Sequence, residues 1–171
     1  MLTIRRAAVL FPVVAVLFGW ATANAGELRQ PEGDVVLRIT GAIANANSGD
    51  TAVFDMKMLE EMLPTAFTTS TIWTDGETSF VGVELDDLLN AVGASGSMVI
   101  AVALNDYAVK LPVSDAKNGG PIVAYLMNGE PMSPRTKGPL WIVYPYDSAT
   151  EYQSELIYSR SIWQLASMRI E

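Results

Sequence analysis

Aromatic and basic side chains concentrate in the C-terminal half of the chain, and these are residue types that bind small ligands. Aromatic rings stack on planar molecules and attract cations to their faces. Arg and Lys donate charge-assisted hydrogen bonds to anions. We therefore expect a small anionic or aromatic ligand to bind in this half. The candidate binding residues there are Arg135, Lys137, Trp141, Tyr146, Arg160 and Trp163.

The same residue types also have structural and protein-binding roles, and the sequence leaves these alternatives open. Aromatic side chains often cover the edge of a core, and exposed Arg side chains often serve solubility. Trp, Tyr and Arg are also the usual anchors of protein interfaces. A surface that docks on a membrane sensor or a redox protein is therefore an alternative to a small-ligand site.

The amino-acid composition excludes much catalytic chemistry. The chain has no Cys and no His, so disulfides, thiolate nucleophiles, Cys/His metal sites and Ser-His-Asp triads are all excluded. Lys and Arg number 11 against 19 Asp and Glu, and the net charge of −8 argues against nucleic acid and anionic lipid as partners. With 171 residues, 50% of them hydrophobic, the chain can form one domain with its own core.

The first 25 residues have the pattern of an export signal. The pair Arg5–Arg6 is followed by an apolar run over 7–20 and by an Ala-x-Ala site that ends at Ala25. The run is shorter than the roughly 20 residues that cross a bilayer. The sequence therefore predicts a signal peptide over 1–25 and a mature domain over 26–171. It also predicts a periplasmic or secreted location, with no stable membrane span after cleavage.

The polarity pattern of the mature domain predicts many strands and few, short helices. An apolar stripe at helical spacing, ended by Gly93, predicts a helix over 85–92. Asp55 can cap a shorter helix that Pro64 stops. The fold class is therefore mixed α/β and β-rich. Alternating or continuous apolar runs predict strands over 34–40, 67–73, 98–104, 107–112, 121–127, 140–144 and 162–170.

Several short segments occur in an order that resembles a known family. Each is weak by itself, and their order and spacing carry the resemblance. Together, over roughly 34–171, they resemble the molybdopterin-binding oxidoreductase domain of the sulfite oxidase family. The segments are WTDG (73–76), VGVELDDLL (81–89), NDY (105–107), NGEPM (128–132), GPL (138–140) and RSI (160–162).

The resemblance implies a sulfite oxidase-like fold in which loops at one end hold a pterin cofactor. Trp73 and Tyr107 join the candidate ligand site on this ground, because their loops lie at that end in the family. In active members a cysteine thiolate ligates molybdenum from the segment that corresponds here to Thr69, Ser70 and Thr71. These residues offer hydroxyl groups, which do not replace a thiolate on this metal.

Other cofactor contacts of the family are also replaced in this chain. Lys137 stands near the position of a family His, and Trp141 stands where the family often has Arg. We therefore predict an exported, non-enzymatic binding or sensory accessory protein on this scaffold, with no cofactor and no metal. The alternative is a molybdopterin-dependent oxidoreductase with a non-cysteine ligand set, so the sequence leaves open whether the chain is an enzyme.

Overall fold

The structure, a computed structural model, describes residues 28–171. The predicted signal peptide and its cleavage site lie outside these residues. The described chain forms eleven strands and three short α-helices. None of its helices is long and apolar enough to cross a membrane.

The strands have the alternating or fully apolar sequences that sheets require. The helices are α1 (Met56–Glu60), α2 (Leu85–Ala91) and α3 (Glu155–Arg160). The strands are β1 (Val35–Gly41), β2 (Ala52–Asp55), β3 (Pro64–Ser70), β4 (Glu77–Glu84), β5 (Met98–Ala103), β6 (Ala108–Pro112), β7 (Ile122–Met127), β8 (Glu130–Pro131), β9 (Trp141–Val143), β10 (Ile162–Trp163) and β11 (Leu165–Ile170).

The strands form two sheets. The first has the order β2-β1-β11-β5-β6, and the second has the order β10-β9-β7-β4-β3 with β8 paired to β7. β1 and β11 pair in parallel, and the other pairs are antiparallel. Buried side chains from both sheets and all three helices form one hydrophobic cluster. The predicted fold class, mixed and β-rich with few short helices, is confirmed.

Both predicted helices are present and have the expected ends. The Asp55 carboxylate accepts a hydrogen bond of 2.8 Å from the Met58 amide and so caps α1. On α2, the apolar stripe is buried. Gly93 follows this helix with φ +61°, a left-handed conformation in which a side chain is strained.

Two predicted strands have different limits in the structure, and both differences affect the site. The strand predicted over 67–73 runs from Pro64 to Ser70, so Trp73 lies in the loop before β4. The strand predicted over 162–170 is divided at Gln164, which has φ +53°. Positive φ lies outside the extended region, so the strand is interrupted at this residue. β10, before the break, pairs in the second sheet, and β11, after it, pairs in the first.

The sequence analysis missed three larger elements. β2 follows a turn-rich stretch, and β4 includes Gly82, which approaches β7 so closely that a Cβ atom would lie 2.3 Å from the Val123 carbonyl oxygen. The helix α3 is only six residues long, and its cap is a Ser154 hydroxyl that accepts from the Ile157 amide. Short or glycine-containing elements carry little periodic signal, which is why they were missed.

Asp55 joins the N-terminal segment to α1, and its removal is expected to destabilise the fold. Its carboxylate also accepts hydrogen bonds from the Glu32 and Gly33 amides, at 2.6 and 2.9 Å. Asp55→Ala removes the helix cap and leaves these amides unpaired, so we expect unfolding to become easier by about 1–2 kcal/mol. Chemical denaturation measures this change. Asp50→Ala, at an exposed turn, is the control, and equal loss in both variants would contradict the assignment.

Candidate functional site

Trp73 lies at the centre of an aromatic cluster formed by loops, strands of the second sheet and helix α3. Its ring centroid is 6.0 Å from that of Trp141, 6.2 Å from Tyr146, 6.0 Å from Tyr158 and 5.8 Å from Trp163. All four pairs have the edge-to-face geometry that aromatic quadrupoles favour. Residues far apart in the chain therefore meet on one side chain.

A cavity of about 480 Å³ opens beside this cluster. The size falls within the usual range for a small-molecule site. Its walls are aromatic, aliphatic, amide and hydroxyl groups, and no Lys, Arg, Asp or Glu side chain contributes to them. The lining residues are Ile72, Trp73, Ala103, Asn105, Tyr107, Tyr158, Ser159, Ser161, Ile162 and Trp163. We call this cavity the aromatic pocket.

A reciprocal contact with Asp147 fixes the end of β3, just before the Trp73 loop. The Ser70 amide donates to the Asp147 carboxylate, and the Asp147 amide donates to the Thr69 hydroxyl at 3.0 Å. The Ser70 amide is the main reason that the pKa of Asp147 lies below its ordinary value. These are two of the three residues that correspond to the metal-ligating segment of the resemblance, and here they hold two loops together.

The third residue of that segment, Thr71, organises the loop itself. The Trp73 amide donates to the Thr71 hydroxyl at 3.0 Å, and the same hydroxyl lies 2.8 Å from the Thr74 hydroxyl. This local network sets the direction of the Trp73 side chain. The hydroxyl-rich run from 69 to 71 therefore positions one wall of the aromatic pocket.

Lys137 packs on the outer part of the aromatic cluster. Its Nζ lies 4.9 Å from the ring centroid of Trp141 and 4.7 Å from that of Trp163, both within cation–π range. No carboxylate of the described residues lies within 4 Å of this ammonium. Burial lowers its pKa from the ordinary lysine value. The Gln164 backbone amide donates a hydrogen bond of 3.0 Å to the Lys137 carbonyl and so ties the loop that carries Lys137 to the residue after β10.

The other two predicted cations lie elsewhere. Arg160 donates twice to the Asp115 carboxylate, at 2.8 and 3.1 Å, and the Tyr144 hydroxyl donates to the same carboxylate at 2.7 Å. Burial is the main reason that the pKa of Tyr144 is raised. Arg135 is exposed in a turn and does not line the aromatic pocket. The positive charge of Arg160 is therefore already neutralised within the fold.

The structure brings together most of the predicted aromatic residues. Trp73, Tyr107 and Trp163 line the aromatic pocket, whereas Trp141 and Tyr146 are buried behind it. The Tyr146 hydroxyl is hydrogen-bonded to Ser161, a lining residue, and burial raises the pKa of this tyrosine to about 12. The pocket is thus open beside Trp163 and closed at Trp141.

Sequence reasoning missed several lining residues. Asn105 belongs to the NDY segment, which was used only to find the resemblance, and its side chain accepts from the Tyr107 amide at 3.2 Å. Its place two residues before Tyr107 was a usable signal for a polar group in the pocket. Ile72 was placed in the strand predicted over 67–73, and Ser159 lies in a helix that the sequence analysis did not assign, so nothing marked either as a pocket residue.

The two sheets define a mixed, β-rich domain with the aromatic pocket at one side. The chain belongs to the oxidoreductase molybdopterin-binding domain family, whose model matches residues 50–152, more than half of its length. A chain of the sulfane dehydrogenase SoxCD from Paracoccus pantotrophus has a similar structure, with a TM-score of 0.58 and 16% sequence identity. The match covers 78% of this chain and 37% of the SoxCD chain, and at this identity it shows the fold alone. No curated protein matches the chain.

Family membership confirms the predicted resemblance and corrects one prediction. The prediction that the protein has no cofactor is contradicted, because the matched family is defined as a molybdopterin-binding domain. The prediction gave the missing thiolate too much weight: losing a metal ligand does not remove the protein contacts to the organic part of a cofactor. The family points to molybdopterin as the cofactor class.

The residues of the aromatic pocket fit the pterin part of such a cofactor. Aromatic walls suit a planar ring, and the Asn105 amide offers both a donor and an acceptor. A thiolate ligand for a metal is lacking, since the chain has no Cys. The described residues also contain no cluster of three or more Asp or Glu side chains that could hold a metal ion.

The contact between Asp147 and the end of β3 is expected to keep the Trp73 loop in place. Asp147→Asn weakens the hydrogen bond that the side chain accepts from the Ser70 amide. We therefore expect faster hydrogen exchange at this amide, and altered tryptophan fluorescence because the Trp73 loop follows it. Because the folded-state pKa is lowered, the contact is complete above the ordinary Asp pKa of about 3.9 and is lost as pH falls through the lower value. Unchanged exchange at Ser70 in the variant would contradict this role.

Arg160 is expected to act through stability, because Asp115 occupies its guanidinium. Arg160→Ala leaves a largely buried carboxylate without its charge partner, and we expect a loss of about 2 kcal/mol in the free energy of unfolding. Denaturant titration measures the loss. Lys117→Ala is the matched control, because its pair with Glu151 is exposed and should contribute nothing measurable. Equal stability of Arg160→Ala and wild type would contradict the assignment.

Proposed function

We propose that this protein is an exported ligand-binding member of its family, and that its ligand is a planar heteroaromatic ring of the molybdopterin class. The observation that carries the proposal is the aromatic pocket: a cavity of about 480 Å³ with four aromatic walls and no charged lining residue. Export is proposed from the signal pattern over 1–25. The ligand class is supported by membership of a molybdopterin-binding family.

Each part of the aromatic pocket has a distinct role in this proposal. Trp73 and Trp163 offer ring surface for stacking, and Tyr107 covers the ligand from the mouth of the pocket. The Asn105 amide pairs with the polar edge of the ring. Lys137 lies against Trp163 without a carboxylate partner among the described residues, so its charge favours a ligand that carries negative substituents.

We propose that the protein binds its ligand without turning over a substrate. A bound molybdopterin supplies redox chemistry through its metal, and the chain contributes no thiolate to that metal because it has no Cys. The pocket walls also carry no carboxylate, amine or imidazole that could act as a general acid or base near neutral pH. A sensory or accessory role, with occupancy of the aromatic pocket as the signal, agrees with this chemistry.

Binding of a soluble pterin tests the proposal. We expect pterin-6-carboxylate to bind the wild-type protein in isothermal titration calorimetry. Tyr107→Ala removes a ring that is 58% exposed, so the fold is retained, and we expect affinity to fall about tenfold.

Leu63→Ala is the control for this measurement. Leu63 is 75% exposed and lines a different depression of the surface, so its removal should leave pterin affinity unchanged. Absence of binding to wild type, or equal weakening in both variants, would contradict the proposal.

A further inference from the structure

Large exposed hydrophobic side chains concentrate at the mouth of the aromatic pocket. Five such side chains are more than half exposed in the described part of the chain, and four of them line the aromatic pocket or lie within one turn of a lining residue in the chain: Ile72 (64%), Leu104 (55%), Tyr107 (58%) and Leu156 (61%). The fifth, Leu63, lies elsewhere. Isolated exposed hydrophobic residues are ordinary, whereas a grouping of this kind marks an interaction surface.

The position of each side chain follows from its neighbours. Ile72 and Tyr107 line the pocket directly. Leu104 lies in the β5–β6 turn, and the residues on either side of it both line the pocket. Leu156 is one helical turn before Ser159, another lining residue, whose hydroxyl donates to the Leu156 carbonyl at 2.7 Å. We call these four residues the rim.

The exposed charges on the three segments that carry the rim have one sign, whereas the cation Lys137 packs on the rings of Trp141 and Trp163. Each of the three segments that carry the rim also carries an exposed acidic residue, and none contains Lys or Arg. The segments are 71–76 with Asp75, 104–107 with Asp106, and 154–159 with Glu155. Arg160, which follows the last segment, is paired with Asp115. The segments that carry the rim are therefore both apolar and acidic.

We propose that the rim docks a partner protein through a segment whose apolar side chains are flanked by Lys and Arg. Charge complementarity supports this partner, since basic residues would face Asp75, Asp106 and Glu155 while apolar residues cover the rim. The same charges disfavour two other occupants. Anionic lipid headgroups would be repelled, and a second copy of this chain would oppose acid to acid across the interface. The proposal does not depend on the proposed pterin ligand.

Docking at the rim places the partner over the aromatic pocket. A partner seated there buries exposed apolar surface and closes the pocket mouth at Tyr107. Its basic residues speed association, so binding should weaken as salt is raised. Contact with the rim would let a partner distinguish an occupied pocket from an empty one.

Synthetic peptides of equal length test the proposal on the whole protein. The first alternates Leu and Lys around a central Trp, the second replaces Lys by Glu, and the third replaces Leu and Trp by Ser. Fluorescence anisotropy measures binding to wild type and to a rim variant that combines Ile72→Ser, Leu104→Ser and Leu156→Ser. The matched control is Leu63→Ser, because Leu63 is an exposed leucine beside Glu84, Asp86 and Asp87.

We expect the apolar, basic peptide to bind wild type and Leu63→Ser equally, and the rim variant at least about tenfold more weakly. The acidic peptide and the Ser-containing peptide should bind wild type more weakly than the apolar, basic peptide does, by a similar factor. An unchanged circular dichroism spectrum shows that the rim variant is folded. Because this control needs no pterin, failure of the docking proposal is distinguishable from failure of the proposed function.

Four results would overturn the proposal. They are no binding of the first peptide, equal binding of the first and third peptides, equal loss in the rim variant and Leu63→Ser, and an unaffected rim variant. Wild-type binding to phosphatidylcholine vesicles that the rim variant loses would assign the surface to a membrane instead. A dimer in sedimentation that the rim variant loses would assign it to a second copy.

Discussion

The reciprocal hydrogen bonds between Asp147 and the end of β3 are the contact on which the site depends. They join Ser70 and Thr69 to a loop that lies 77 and 78 residues away in sequence. The loop that follows carries Trp73, and Trp73 contacts four other aromatic rings. One wall of the aromatic pocket and the packing of the cluster behind it thus rest on a polar contact at the end of a strand.

The hydroxyl-rich segment explains how a member of a molybdopterin-binding family can keep its pocket without a metal-binding sulfur. Thr69 is 1% exposed and accepts from the Asp147 amide, so it contributes to the fold itself. Thr71 holds the Trp73 amide in the loop. The segment therefore supports the aromatic walls, and the proposed contacts to an organic ring do not require a protein ligand to a metal. The prediction of no cofactor, which was made from the missing cysteine, was wrong because it treated these two sets of contacts as one.

The sequence predicted the fold better than it predicted the site. Long apolar strands such as β5 and the amphipathic helix α2 were recognised because a single period describes each of them. Trp73 was placed in a strand because threonine-rich alternation continues past Ser70, where the contact with Asp147 ends the pairing. Long-range partners were not predictable: Asp115, 45 residues from Arg160, neutralises a cation that was expected to bind ligand. The resemblance found the family, since its motifs depend on order and spacing.

The pterin content of the protein as isolated is the most direct test of the central claim, that the aromatic pocket holds a cofactor of the molybdopterin class. The full chain is expressed in a host that makes molybdopterin, purified and denatured, and the released pterin is oxidised to its fluorescent derivative and quantified by chromatography. We expect a stoichiometric amount of pterin from wild type and much less from Tyr107→Ala. Absence of pterin from the folded wild-type protein would contradict the claim.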